Sequence, residues 1–204
     1  MHRVIVATSN EGKARELEAM LKLSNYKLES LKEAGIESDP VEDETTFLGN
    51  ARIKARAAFE ECKKRNIEAC VLADDSGICI DALDGRPGVL SARYAGVGAG
   101  QDAINKKIFE ELKDVPMEKR DAHFTCSLFF IMENGEEIRV EGNCFGRIAF
   151  SPKGEHGFGY DPIFLSKDFN YEKTFGEIDS DIKNEISHRA RAVSQLKMAL
   201  SFFN

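Results

Sequence analysis

Thr8-Ser9-Asn10-Glu11-Gly12-Lys13 places two small hydroxyls, a side-chain amide and a lysine directly after the β-branched run Val4-Ile5-Val6. Backbone amides at a helix start, hydroxyls and a lysine one turn in are the parts that hold a phosphate. The segment is not a P-loop, because Ala7 stands where GxxxxGK needs its first glycine and Ala14 where the following hydroxyl belongs. The local pattern fits a well-capped helix equally well.

A second cluster, Asp74-Asp75-Ser76-Gly77, follows the apolar run Ala69 to Ala73. Adjacent carboxylates repel unless they share a cation or a proton, so the pair reads as a Mg²⁺ site or a general base. The structural alternative is a turn in which aspartate caps backbone amides. The acidic stretch Glu42-Asp43-Glu44 could add a metal ligand, although charge runs are mostly solvated. Asp75-Ser76-Gly77 also matches the Asp-Ser/Thr-Gly tripeptide of aspartic proteases, but the chain has no second copy and carries too many helices for that fold. Ser76 lacks the G-x-S-x-G frame, and His2, His123, His156 and His188 show no HExxH spacing.

The third cluster joins Gly157-Phe158-Gly159-Tyr160-Asp161-Pro162 to Lys183 and to Ser187-His188-Arg189. An aromatic between two glycines can lie open to a flat ligand such as a base. Lys183, His188 and Arg189 are donors that could converge on carbonyl or phosphate oxygens if the chain folds back. Taken singly, Phe158 reads as core and His188-Arg189 as the first turn of a helix.

The elements that must position these clusters follow from periodicity. Val4 to Ala7 reads as a strand and Lys13 to Leu23 as a helix with Ala14, Leu17, Met20 and Leu21 on one face. A strand is predicted around Tyr26 to Leu31, a loop over Glu37 to Glu44, and a long Ala-rich helix from Phe47 to Arg65, capped by Thr46 and laid on a sheet. A strand over Ala69 to Ala73 should end at the paired aspartates, with apolar character resuming over Ile78 to Ile80. A glycine-rich ordered loop then leads to a helix over Gln101 to Lys113. Ala122 to Met132 and Glu137 to Phe150, joined across Asn134-Gly135, form the clearest β signal, a long antiparallel hairpin. A short strand over Ile163 to Leu165 and a final helix from His188 to Phe203, with Ser187 as its N-cap, complete an α/β protein with a mixed sheet.

Composition narrows the function classes. With 204 residues and 42% apolar content the chain can form one domain that buries about 70% of its unfolded surface, so neither disulfides nor a structural metal is required. No apolar run approaches the roughly 18 residues of a membrane helix, and Val4 to Ala7 is too short for a signal-peptide core, so a cytoplasmic protein with no membrane partner is expected. Five cysteines without a CxxC pair read as reduced, mostly buried residues. A net charge of −7 argues against a general nucleic-acid binder and requires any polyanionic ligand to meet local cations, such as Lys13, Lys54 and Arg93, or a metal.

Over nearly its whole length the sequence resembles the inosine triphosphate pyrophosphatases, the non-canonical purine nucleoside triphosphate pyrophosphatases. Thr8 to Lys13 is similar to the family's opening T-x-N-x-x-K motif, and Asp74 to Gly77 with Ala82-Leu83, Gly85, Pro87-Gly88 and Ser91-Ala92-Arg93-Tyr94 to its central signature. Gly157 to Phe164, Lys183-Asn184 and Ile186-Ser187-His188-Arg189 complete the set. The resemblance implies a single domain over residues 1–204 with an elongated twisted central sheet flanked by helices, two lobes around an active-site cleft, and a homodimer. It also implies Mg²⁺-dependent cleavage of ITP, dITP and XTP to the monophosphate and pyrophosphate. By the same resemblance Thr8, Ser9, Asn10, Glu11, Gly12 and Lys13 would bind substrate, Asn10 and Lys13 holding its phosphate and Lys13 also catalytic, and Ser76 would contact substrate. Asp75 would be general base and, with Asp74 and Glu42, metal ligand, while Phe158, Gly159, Tyr160, Asp161, Lys183, His188 and Arg189 would line the base pocket. The family's E-x-G-x-T-F-x-E-N-A stretch departs here, with Glu44 where a glycine stands and Gly49 where a glutamate stands. Two other functions remain open on the residues: a related pyrophosphatase acting on modified pyrimidines or canonical deoxynucleotides, and a regulatory module that senses ITP without cleaving it.

Overall fold

In the computed structural model, residues 2–21 and 25–202 are described; Lys22, Leu23 and Phe203, the far ends of two predicted helices, lie outside them. Six strands form one sheet in the order β2-β1-β3-β4-β5-β6. They are β1 (His2–Val6), β2 (Tyr26–Ser30), β3 (Cys70–Ile80), β4 (Asp121–Ile131), β5 (Glu137–Ile148) and β6 (Phe164–Ser166). β1 runs parallel to β2 and β3, whereas β5 and β6 are antiparallel, which makes the sheet mixed. Among the described residues five α-helices accompany it: α1 (Glu11–Met20), α2 (Phe47–Lys64), α3 (Gln101–Glu111), α4 (Ser180–Ile186) and α5 (His188–Leu200).

The chain forms two compact units. The first comprises Met1–Asp75, Cys126–Gly142 and Arg189–Asn204, the second Ser76–Thr125 and Asn143–His188. In the first unit the period-2 alternation of a strand sorts side chains into two cores. Val4, Val6, Leu72, Leu128 and Phe130 pack with Leu17 and Met20 of α1 and Val193 and Leu196 of α5. Ile5, Ala7, Val71, Ala73 and Phe129 pack with Ala51, Ala55, Ala58 and Phe59 of α2, whose small residues let the helix lie close to the strands. The second unit has its own core, in which Ile78, Ile80, Phe124, Phe164 and Phe175 meet Ile104 and Ile108 of α3.

Thr46 caps α2 as the sequence implies, its hydroxyl accepting from the Gly49 amide at 3.1 Å. The hairpin is present: Thr125 pairs with Asn143, Ser127 with Glu141, and the Met132 amide reaches the Glu136 carbonyl, the stepwise approach of an antiparallel turn. All five cysteines are thiols and four are buried. Two expectations need correction. β3 does not end at the aspartates but runs unbroken from Cys70 to Ile80, because the polar quartet sits among buried residues that continue the pleat. α4 was not expected from the sequence, since its seven residues are too few to show a helical period.

Candidate active site

Asp74 and Asp75 lie at consecutive positions of β3, so alternation sends them to opposite faces. Asp74 shares its face with Leu72 and meets α1 and α5. Its Oδ1 lies 2.9 Å from Lys13 Nζ, and its Oδ2 accepts from Arg189 Nε at 2.8 Å and from the Cys126 thiol at 3.1 Å. Arg189 continues to Glu16 on α1, one helical turn beyond Lys13, so Glu16, Arg189, Asp74 and Lys13 alternate in charge. Burial would push the Asp74 carboxyl up, but the Arg189 and Lys13 charges outweigh it and hold it well below the usual carboxylate range. Burial and the adjacent Asp74 charge push the Cys126 thiol well above its ordinary value.

Asp75 shares its face with Ala73 and meets α2. Lys54 Nζ donates to its Oδ1 at 3.0 Å and lies 2.9 Å from Glu42 Oε2, while Asn50 Nδ2 faces its Oδ2 at 3.4 Å. Asn50 and Lys54 stand one turn apart on α2, and the Asn50 carbonyl oxygen accepts from the Glu44 amide, which ties the acidic loop to the helix. Burial raises the Asp75 carboxyl, and the Lys54 and Lys13 charges recover only part of that shift. Lys54 keeps its proton: burial opposes the charge, and Asp75 and Glu42 more than restore it.

The departures at Glu44 and Gly49 are one structural event. A Cβ on Gly49 would stand 2.7 Å from Glu44 Cβ and 2.9 Å from its Cγ, so the glutamate side chain fills the space beside position 49 and pairs with Arg52 at 2.8 Å.

At the start of α1, Thr8 Oγ1 accepts from the Asn10 amide at 3.2 Å and Asn10 Oδ1 accepts from the Lys13 amide at 3.0 Å. Asn10 is therefore the N-cap, Ser9 and Asn10 are exposed, and Glu11 and Gly12 form the first turn.

In the second unit, Asp161 Oδ2 accepts from the Phe158 amide at 2.7 Å and pairs with Lys183 Nζ at 2.5 Å. The Lys183 ammonium lies 4.7 Å from the centre of the Phe158 ring. Gly157 has φ +76°, and a Cβ there would stand 2.1 Å from Asp161 Oδ2, so only glycine lets the chain close on the carboxylate. The His188 ring stacks on Phe124 with centroids 4.6 Å apart. Ser76 and Gly159 are half-buried.

Three of the expected site residues are held by partners within the protein. Asp74 is fully buried, with Lys13 on one oxygen and Arg189 on the other. Arg189 is engaged by Asp74 and Glu16 and would have to leave one of them to reach a base. Tyr160 turns into the core, its hydroxyl donating to the Ser91 carbonyl at 2.6 Å. Glu16, Asn50 and Cys126 were missed as site residues. The first two carried a signal in their helical spacing from Lys13 and Lys54; Cys126 carried none.

Glu42 and Asp75 do fit a hard divalent cation. Their oxygens converge on one ammonium, and Mg²⁺ typically takes one or two carboxylates and completes its shell with water and substrate phosphates.

Residues 4–199 match the Ham1 family. The dITP/XTP pyrophosphatase of Bacillus subtilis is 44% identical over 200 residues, covering 98% of each chain, and that of Clostridium tetani is 41% identical over 203 residues, covering 100% of this chain and 98% of the relative. Among solved structures, a HAM1 protein from Coxiella burnetii superposes with a TM-score of 0.84 at 36% identity, covering 98% of this chain and 99% of the other. The Ham1 protein of Staphylococcus aureus gives 0.84 at 32% identity, covering 99% and 100%. With motif, fold and length in agreement, the chain belongs to the Ham1 family.

Proposed function

We propose that this protein is a dITP/XTP pyrophosphatase, hydrolysing the α,β-phosphoanhydride of non-canonical purine nucleoside triphosphates to the monophosphate and pyrophosphate. The observation that carries this reading is the division of labour at Asp74-Asp75. One carboxylate is locked as a counter-ion between Lys13 and Arg189, and the other stands beside Lys54 and Glu42.

Lys13 and Lys54 meet the phosphates, aided by the amides and hydroxyls at the start of α1. A Mg²⁺ held by Glu42 and Asp75 would offset charge on the phosphates and on the departing pyrophosphate. Asp75 takes a proton from water as the water oxygen bonds to the α-phosphorus and the bond from that phosphorus to the β-bridging oxygen breaks. Asn50 keeps the Asp75 carboxylate turned for this transfer.

In the second unit, Phe158 offers a face to the purine while Lys183 and His188 present donors to its 6-oxo group, and Asp161 holds both Lys183 and the Phe158 backbone. A 6-amino group would set donor against donor, leaving buried groups unpaired at about 1–3 kcal/mol each, which disfavours ATP. We further read the protein as a cytoplasmic homodimer.

The test is product analysis with Mg²⁺ across ITP, XTP, GTP, ATP and dUTP. Pyrophosphate from ITP and XTP, with little from the others, is the expected result. Turnover of dUTP would favour the pyrimidine enzyme, and tight ITP binding without product would make the protein a sensor.

A further inference from the structure

We infer that Lys54 gates the metal, so that divalent cation and nucleotide enter as a coupled pair. The inference rests on the reading of Glu42 and Asp75 as the metal-holding acids.

Lys54 Nζ lies 2.9 Å from Glu42 Oε2 and 3.0 Å from Asp75 Oδ1. A cation seated between these same two oxygens would stand where the ammonium stands, so lysine and metal compete for that position. The competition has force because the ammonium is well embedded: its side chain is 14% exposed and it sits on the second turn of α2. Asn50 at the other Asp75 oxygen limits how far that carboxylate can turn to serve both cations.

A triphosphate changes the balance. Its oxygens give the ammonium a new acceptor carrying close to four negative charges, and Lys54, a flexible stem with three donors, can turn to them. Glu42 and Asp75 are then released to the metal. Nucleotide thus raises metal affinity, and by reciprocity the metal raises nucleotide affinity. The enzyme alone holds its metal weakly and takes it up with substrate.

The test is Mn²⁺ binding, read by electron paramagnetic resonance or calorimetry, with and without the α,β-methylene analogue of ITP. Wild type, Lys54→Met and Lys54→Gln are compared, each checked for fold by circular dichroism. For wild type, weak Mn²⁺ binding that tightens with the analogue is expected. Removing the ammonium should tighten Mn²⁺ binding without nucleotide by about 5- to 150-fold, the usual range of coupling between two sites, and shrink the further gain from the analogue. Because Lys54→Gln keeps a polar head, it decides the matter if the methionine variant misfolds. If wild type binds Mn²⁺ with the analogue but neither variant binds Mn²⁺ alone more tightly, the gate is wrong and the metal reading stands. If wild type binds the analogue but no Mn²⁺ with it, the metal reading falls and the gate with it.

Discussion

Asp74 and Asp75 are covalent neighbours whose carboxylates face different helices and are pushed in opposite directions, Asp74 down by Arg189 and Lys13 and Asp75 up by burial. A strand makes this possible. A turn at the same positions would have left both groups on one polar rim, competing for the same cations. The separation leaves Asp74 between Lys13 and Arg189 and Asp75 beside Lys54.

Asp75→Asn removes the proposed proton acceptor while keeping shape; its one amide oxygen can still accept from Lys54, and its new NH2 then faces the Asn50 amide donor to donor. Turnover of ITP should fall by about 10²- to 10⁴-fold, with nucleotide binding largely retained. Steady-state kinetics beside equilibrium binding would check this, and near wild-type turnover would remove Asp75 from the chemistry.

Asp74→Asn takes the shared partner from the buried Arg189 and the half-buried Lys13, leaving Arg189 with Glu16 alone. Unfolding stability should drop by about 3–5 kcal/mol, read by chemical denaturation. The depressed Asp74 carboxyl also fixes a pH dependence. Its contribution is fully present above the unfolded value near 3.9 and is lost as pH falls through the lower folded value, so the wild-type excess over Asp74→Asn should shrink only in strongly acidic solution.

Gly49→Ala ordinarily stabilises a helix by about 0.5–1 kcal/mol. Here the new methyl meets Glu44 Cβ, which the backbone fixes, so the substitution should destabilise by about 1–3 kcal/mol. In a Glu44→Gly background the obstruction is gone and the sign should reverse. A double-mutant cycle on melting curves measures the coupling, and additive effects would refute it.

Lys183→Met combined with Asp161→Asn removes the base-facing donor without stranding a buried charge. The ratio of kcat/KM for ITP over ATP should narrow by about tenfold or more, the value of one donor to the 6-oxo group. An unchanged ratio would take Lys183 out of base recognition.

The order of strands and helices was legible because it rests on local rules. β-branched runs, the Thr46 cap and the Asn134-Gly135 turn each act within a few residues, and the observed elements follow them within a few positions. The site clusters were visible as residue types. What the chain could not reveal alone was which cation belongs to which acid. Arg189 reads as a neighbour of His188, yet it lies on Asp74, 115 positions away in sequence, because α5 packs on the same face of β3 as α1. The continuity of β3 through four polar residues, the thiol of Cys126 on Asp74 and the exchange of space between Glu44 and Gly49 are likewise set by burial and packing. A charge is worth little until its surroundings exclude water, and only the folded chain decides where that happens.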